Sequence, residues 1–539
     1  MDPFLIVVVL GGAVSLAGPL ALIYQNYLLR HSSKRAIRLE EKGETEKAIR
    51  YLKWTLYCLS RQPAEVRIHP HMTLGTLYLR SQRFAEGEAH LRTALAACHR
   101  RGKLTVDSTT EAQIRSNIAI ALESQGDTVG AAAERDLASH CLLNEKNRNY
   151  SWHFLRASDL QTRMQYSEAV QEYKTGLKKL PSSYPASLRG QEIIALASCL
   201  SGWEHTTEAL SCWKQALDGS LPSDILSKVY FMTGMECHKL NRFEDAEHYY
   251  TAAIEADNHK ALGGRVRGAI IRWQIAETQL MRGNLQNARQ LLNHYLDSVD
   301  MKNSPATELL ACDIDTVEGS FRDAKNRAKH LQQSIDSGSF DSDWREMLPG
   351  FKTSLCLRLV GLHILLNEPK NALAEVENLR LENDEVLKWC YEAFCVTAQA
   401  QLETKKECRA ALEAQVIDIK QRIENDFARR LDEGAEVDDA AAVLRQPTNF
   451  LAYAALTLKM YDTCLQLYKR NLEMNSSPVN LPGVHCFIGE CHAALGNPQD
   501  ARIAWQNAVT SGIDTYYARI ASQHLTKHQA AVKGTVKLN

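Results

Sequence analysis

Leu226–Asn258 reads LSKVYFMTGMECHKLNRFEDAEHYYTAAIEADN. Gly234, Phe243, Ala246, Tyr250 and Ala253 stand at spacings that fit two amphipathic helices joined by a tight turn near Asn241. The small residues Gly234, Ala246 and Ala253 fall where two helices must approach closely, and Phe243 and Tyr250 fill the space between them. Such a pair cannot bury its apolar face alone, so the pattern demands neighbours.

Neighbours stand on both sides at roughly the ~34-residue period of helix-turn-helix arrays. Upstream, Leu74, Gly75, Tyr78, Phe84, Leu91 and Ala94 repeat the spacing, as do Ala157, Leu160, Tyr166, Ala169, Tyr173 and Pro181. Downstream, Gly489, Gly496, Ala501, Trp505 and Ala508 repeat it again. On these residues the chain resembles the tetratricopeptide-repeat family from about Ser32 onward. The resemblance implies an all-α fold, a right-handed α-solenoid of tetratricopeptide-type helix pairs. It implies little about activity, because the shared residues are packing residues.

The pattern divides the chain into an N-terminal segment 1–29, a superhelix over 30–300 of about seven units, degenerate helical repeats and connectors over 301–446, and C-terminal units over 447–539. In the third part, 301–307 and 336–350 have loop composition, 385–430 reads as a long helical stretch, too long for one repeat helix and so a paired or protruding element, and the acidic 430–447 reads as a connector. Tyr516–His528 is placed to cap the stack.

With 63 basic and 64 acidic residues the net charge is near zero, and no aromatic-interleaved basic stripe occurs, which argues against nucleic acid as a partner. The 14 cysteines include no C-x-x-C, and most fall in predicted helices, which suits free thiols in a reducing compartment. Phe4–Tyr24 is an uncharged run of 21 residues. At ~1.5 Å per residue it is long enough to cross a ~30 Å hydrocarbon layer. Met1-Asp2-Pro3 before it has no Lys or Arg, whereas Arg30, Lys34, Arg35 and Arg38 follow it. That asymmetry predicts a single-pass membrane anchor with the repeats facing the cytoplasm. The competing reading is a cleaved signal peptide ending near Ser15-Leu16-Ala17.

Phosphate-loop, dinucleotide-fingerprint, nucleophile-elbow and metalloprotease motifs are missing from the sequence. Gly263, Gly264 and Gly268 with Arg265 and Arg267 make a weak anion-binding candidate without a preceding strand. His485, Cys486, Cys491 and His492 suggest a metal site, but on a helix the two thiols diverge and the two imidazoles stand ~10 Å apart along the axis. The sequence therefore predicts no cofactor and no metal.

By the family resemblance, the first helix of each pair lines a concave groove, and one recurring position faces ligand. Aligned on the small residues, that position holds Met72, Ser116, Phe154, Ile194, Phe231 and Trp273, with Met235 one turn beyond Phe231. Asn117 shares the face of its unit and suits a peptide amide. The stripe implies protein or peptide partners anchored by apolar side chains; the alternative is self-packing. The family's carboxylate clamp does not carry over, since only Asn117 fits and Met72, Thr76, Ser151 and Leu155 occupy matching positions. The expectation is a membrane-anchored cytoplasmic scaffold, not an enzyme. Two alternatives stand beside it: an enzyme with a site in 301–430, where His330 and His363 lie without adjacent motifs, and a self-assembling homo-oligomer using Gly11, Ala13, Ala17 and Gly18 of the span.

Overall fold

The computed structural model describes residues 32–536 apart from 41–43, 101–102, 105, 144–147, 220, 222, 257–264, 298–303, 341–343, 345–346, 378–384, 404 and 475. The chain forms two compact units, residues 1–199 and 200–539. Each is built from antiparallel helix pairs, and one local device recurs at the turn inside a pair.

At that turn a single residue takes the left-handed conformation. In the first unit these are Gln82, Gly126 and Met164; in the second, Glu204, Asn241, Gly283, Gly319, Asn367, Lys459 and Gly496. The next residue donates its N–H to the carbonyl five back, as in Arg83 to Tyr78, Asp127 to Leu122 and Arg242 to Cys237, all at 2.9 Å. Carbonyls orphaned at the helix end are thereby satisfied. The bond helps offset the ~1–2 kcal/mol cost of left-handed geometry at the non-glycine positions. From Gln82 to Asn367, successive turn residues of this kind lie between 36 residues apart (Gly283 to Gly319) and 48 apart (Gly319 to Asn367), longer than the expected ~34-residue period. Longer helices account for the excess: Thr128–Leu143 has 16 residues and Leu348–Leu365 has 18.

In the first unit, Ile68–Arg80 pairs with Phe84–Cys98, Ser108–Ser124 with Thr128–Leu143, and Tyr150–Thr162 with Tyr166–Lys179. Gly75 lets the first pair close, since a Cβ there would meet Leu91 Cγ at 2.7 Å. Asp107 and Asn149 cap their helices by accepting from the N–H of Thr110 (2.6 Å) and Trp152 (3.0 Å). One detail departs from the all-α expectation: His99–Arg100 and Lys103–Leu104 form a two-residue antiparallel strand pair.

In the second unit the decisive stretch folds as Ser223–Lys239 against Phe243–Ala256. Tyr250 lies over Gly234, where a Cβ would meet its ring at 2.7 Å, and its hydroxyl donates to Gln274 Oε1 of the following pair at 3.2 Å. Further along, Pro305–Glu318 pairs with Phe321–Asp336 and Leu348–Leu365 with Pro369–Glu377. The long helical stretch divides into Glu385–Leu402 and Lys406–Asp432. The acidic connector expected at 430–447 is instead a turn at Gly434 followed by the helix Val437–Thr457, with Pro447 inside it. Asp438 and Asp439 sit in its first turn, where carboxylates complement the helix dipole.

The second unit returns upon itself. Buried Asp439 accepts from both Thr207 N and Thr207 Oγ1 at 2.8 Å, and Arg430 pairs with Glu204. Ile513 lies against Gly283, Tyr516 lies against Gly319, and Arg519 donates to the Glu318 carbonyl. Each early partner lies in a turn inside a pair or in the helix end beside it: Glu204, Gly283 and Gly319 in turns, Thr207 and Glu318 at helix ends. Later helices thus seat on the turn edge of earlier ones.

The expected membrane span at Phe4–Tyr24 and the pair Gly263-Gly264 lie outside the described residues. Among the described residues, no helix is long and apolar enough to cross a membrane.

Candidate functional site

The groove residues expected from sequence fall into both units. In the first, Met72 is half-buried against the core around Ile68 and Leu91, and Asn117 Nδ2 donates to Thr76 Oγ1 at 3.3 Å. Phe154 is 9% exposed, and its ring covers Gly176 within its own pair, where a Cβ would meet Phe154 Cε1 at 2.6 Å. Ile194 is half-buried. In the second unit, Phe231, Met235 and Trp273 are all half-buried. Phe231 packs 5.8 Å from Tyr250, and Trp273 lies 5.9 Å from Phe351, measured between ring centroids.

Beside these aromatics runs a polar strip that the sequence reading missed. Arg358 holds Asp313 in a bidentate grip, Nε to Oδ1 at 2.6 Å and Nη2 to Oδ2 at 2.8 Å. Burial pulls the guanidinium pKa down, but Asp313 more than offsets this, and the net shift is upward. Glu277, one turn beyond Trp273, is half-buried. Burial first, and then the charge of Asp313, raise its carboxyl to about 7. Arg358 and a hydrogen bond with Gln274 oppose that rise only in part, because Arg358 is already gripped by Asp313.

The second feature of this unit is a cavity of about 250 Å³. Its wall comes from Leu348–Leu365 (Gly361, Ile364, Leu365), Glu385–Leu402 (Phe394, Thr397), Val437–Thr457 (Asn449, Phe450, Tyr453) and Leu481–Ala494 (Gly483, Val484, Phe487), with Tyr468. Thr515 and Tyr517 line it together with Val317 and Phe321, so the returning end of the chain contributes part of the wall of a half-open cavity. Ring centroids lie 4.4 Å apart for Phe394 and Phe450, 5.6 Å for Tyr453 and Phe487, and 4.9 Å for Phe487 and Tyr517. Burial pushes the phenols of Tyr453, Tyr468 and Tyr517 up, so they are neutral at physiological pH. Thr397 donates to the Ala393 carbonyl and Asn480 to Ser477. The side-chain amide of Asn449 makes no hydrogen bond among the described residues.

A signal for part of this wall was present in the sequence. Aligned on Ala452, which stands where Gly234 does, Asn449 occupies the position of Phe231 and Tyr453 that of Met235. Of the other candidates, Cys486 and Cys491 are both buried, and Cys491 Sγ lies 3.2 Å from Cys464 Sγ. His363 is buried with Nδ1 2.6 Å from Glu368 Oε2.

These helix pairs define an all-α helical-repeat solenoid. The family model described as Tetratricopeptide repeat matches residues 239–302, from the end of one first helix through the next pair. No curated protein matches the sequence. Among solved structures, the APC/C hetero-tetramer Cut9-Hcn1 is similar at 12% identity and a TM-score of 0.38, over 94% of this chain and 98% of that one. The Rap protein complexed with competence and sporulation factor is similar at 10% identity and a TM-score of 0.43, over 76% and 97%. The C-terminal part of a TPR repeat-containing protein from Cytophaga hutchinsonii is similar at 12% identity and a TM-score of 0.29, over 51% and 97%.

Proposed function

We propose that this protein is a non-catalytic scaffold that binds a partner protein through the first helices of the second unit and is tethered to a membrane by Phe4–Tyr24, with its repeats in the cytoplasm. The observation that carries the binding reading is the coincidence on those helices of half-buried Phe231, Met235 and Trp273 with Glu277. Apolar anchors beside a carboxyl that Arg358 compensates only in part fit a peptide segment that places a Lys or Arg next to a large apolar side chain. The tether would hold the scaffold at high local concentration on the membrane.

The test is affinity capture from native membranes with three proteins: the intact chain, a copy lacking residues 1–29, and a Phe231→Ala/Trp273→Ala double variant. The reading expects the truncated copy to leave the membrane fraction and the double variant to lose its partner while keeping its helical circular dichroism. Full capture by the folded double variant would refute the binding surface. A truncated copy that stays membrane-bound would refute the tether.

A further inference from the structure

We propose that the cavity of the second unit is a binding site for a neutral aromatic small molecule about the size of a fused bicyclic ring. Size comes first. An apolar cavity of about 150 Å³ stays dry and takes benzene, and this one, at about 250 Å³, has room for a second ring. Charge comes next. None of the lining residues is ionic, so a charged ligand would give up part of its hydration without gaining a counterion, which disfavours it against a neutral one.

Shape and polarity narrow the class further. Phe394 and Phe450 are tilted 37° to one another, and Phe487 meets Tyr517 at 63°. Such a wall offers ring faces and edges to a planar guest. The open Asn449 amide supplies a donor and an acceptor for one hydroxyl or carbonyl on that guest. Thr515 and Tyr517 belong to the returning end of the chain, so a ligand held here also fastens that end to Val317 and Phe321. This inference does not depend on the partner-binding strip, which is built from other residues.

Gly361 provides the test. It lines the cavity from within the helix Leu348–Leu365, and a Cβ at this position meets nothing within 4 Å. Gly361→Leu therefore places its Cβ in open space and adds three further carbons at the cavity wall, and replacing glycine inside a helix favours the helix. With 1-naphthol as the probe and the full-length protein, titration followed by naphthol fluorescence should saturate at one site. Gly361→Leu should weaken binding at least tenfold with its melting temperature kept or raised. Gly361→Ala should bind as the wild type does. Asn449→Leu should weaken 1-naphthol but not naphthalene, and the anion 1-naphthoate should bind at least tenfold more weakly than 1-naphthol. The inference is overturned if the wild type shows no saturable binding, if Gly361→Leu binds undiminished, or if 1-naphthoate binds as well as 1-naphthol.

Discussion

Replacing Gly319 by Ala tests whether the second unit is closed by its own C-terminal end. Two costs act at this residue. Its φ is +84°, a left-handed conformation that costs an L-residue about 1–2 kcal/mol. The added Cβ would also stand 2.5 Å from Tyr516 Cδ2, well inside van der Waals contact, and such overpacking costs about 1–3 kcal/mol. Together they predict a loss of about 2–5 kcal/mol, concentrated where the Tyr516–Val536 helix meets the turn. Gly434 is the internal control: its φ is +91°, but a Cβ there meets nothing within 4 Å, so Gly434→Ala carries only the backbone cost of about 1–2 kcal/mol. Urea unfolding of both variants isolates the contact by difference. Hydrogen exchange should quicken across residues 516–528 in Gly319→Ala alone. Equal destabilisation by the two substitutions, with the last helix equally protected, would refute the closure.

Asp439→Ala removes two hydrogen bonds to a buried carboxylate, from Thr207 N and Oγ1, and should cost about 2–4 kcal/mol by urea titration, whereas Asp439→Asn should cost less. Glu277 has its pKa raised to about 7 by burial and by Asp313. The folded state therefore holds a proton that the unfolded state releases near pH 4.5, and stability is lost as pH rises from there through 7. Glu277→Gln should flatten that slope in urea titrations between pH 5 and 8. It should leave the variant more stable than the wild type at pH 8, by at most about 3 kcal/mol. The same titration makes binding of a basic peptide tighten from pH 6 to pH 8 in the wild type, as Glu277 ionises, and not in Glu277→Gln.

The pair built from Ser223–Lys239 and Phe243–Ala256 was legible because its signature residues touch one another: Tyr250 needs the space that Gly234 leaves. The turn was legible at Asn241, which tolerates left-handed geometry, but not at Met164, Glu204 or Lys459. There the helix-ending hydrogen bond imposes a conformation that the residue type does not advertise. Asp439 looked like part of a solvated connector because its partner, Thr207, lies 232 residues away. The polar strip escaped for a related reason. Asp313 and Arg358 are 45 residues apart, and only the alignment of successive first helices brings them together. Asn449 and Tyr453 of the cavity wall were missed because the groove alignment stopped at Trp273, although the repeat register of the last units carries their signal. Tyr517 beside Val317 and Phe321 depends on the return of the later helices, and no local period signals it.

The most direct test of the binding account uses peptides selected from a random display library against the full-length protein, with affinities then measured by fluorescence anisotropy. The account predicts selected sequences that pair a large apolar residue with Lys or Arg. It also predicts that Trp273→Ala lowers their affinity about 30-fold, the loss of about 2 kcal/mol expected of a central aromatic anchor. Selected peptides that bind folded Trp273→Ala as tightly as the wild type would contradict it.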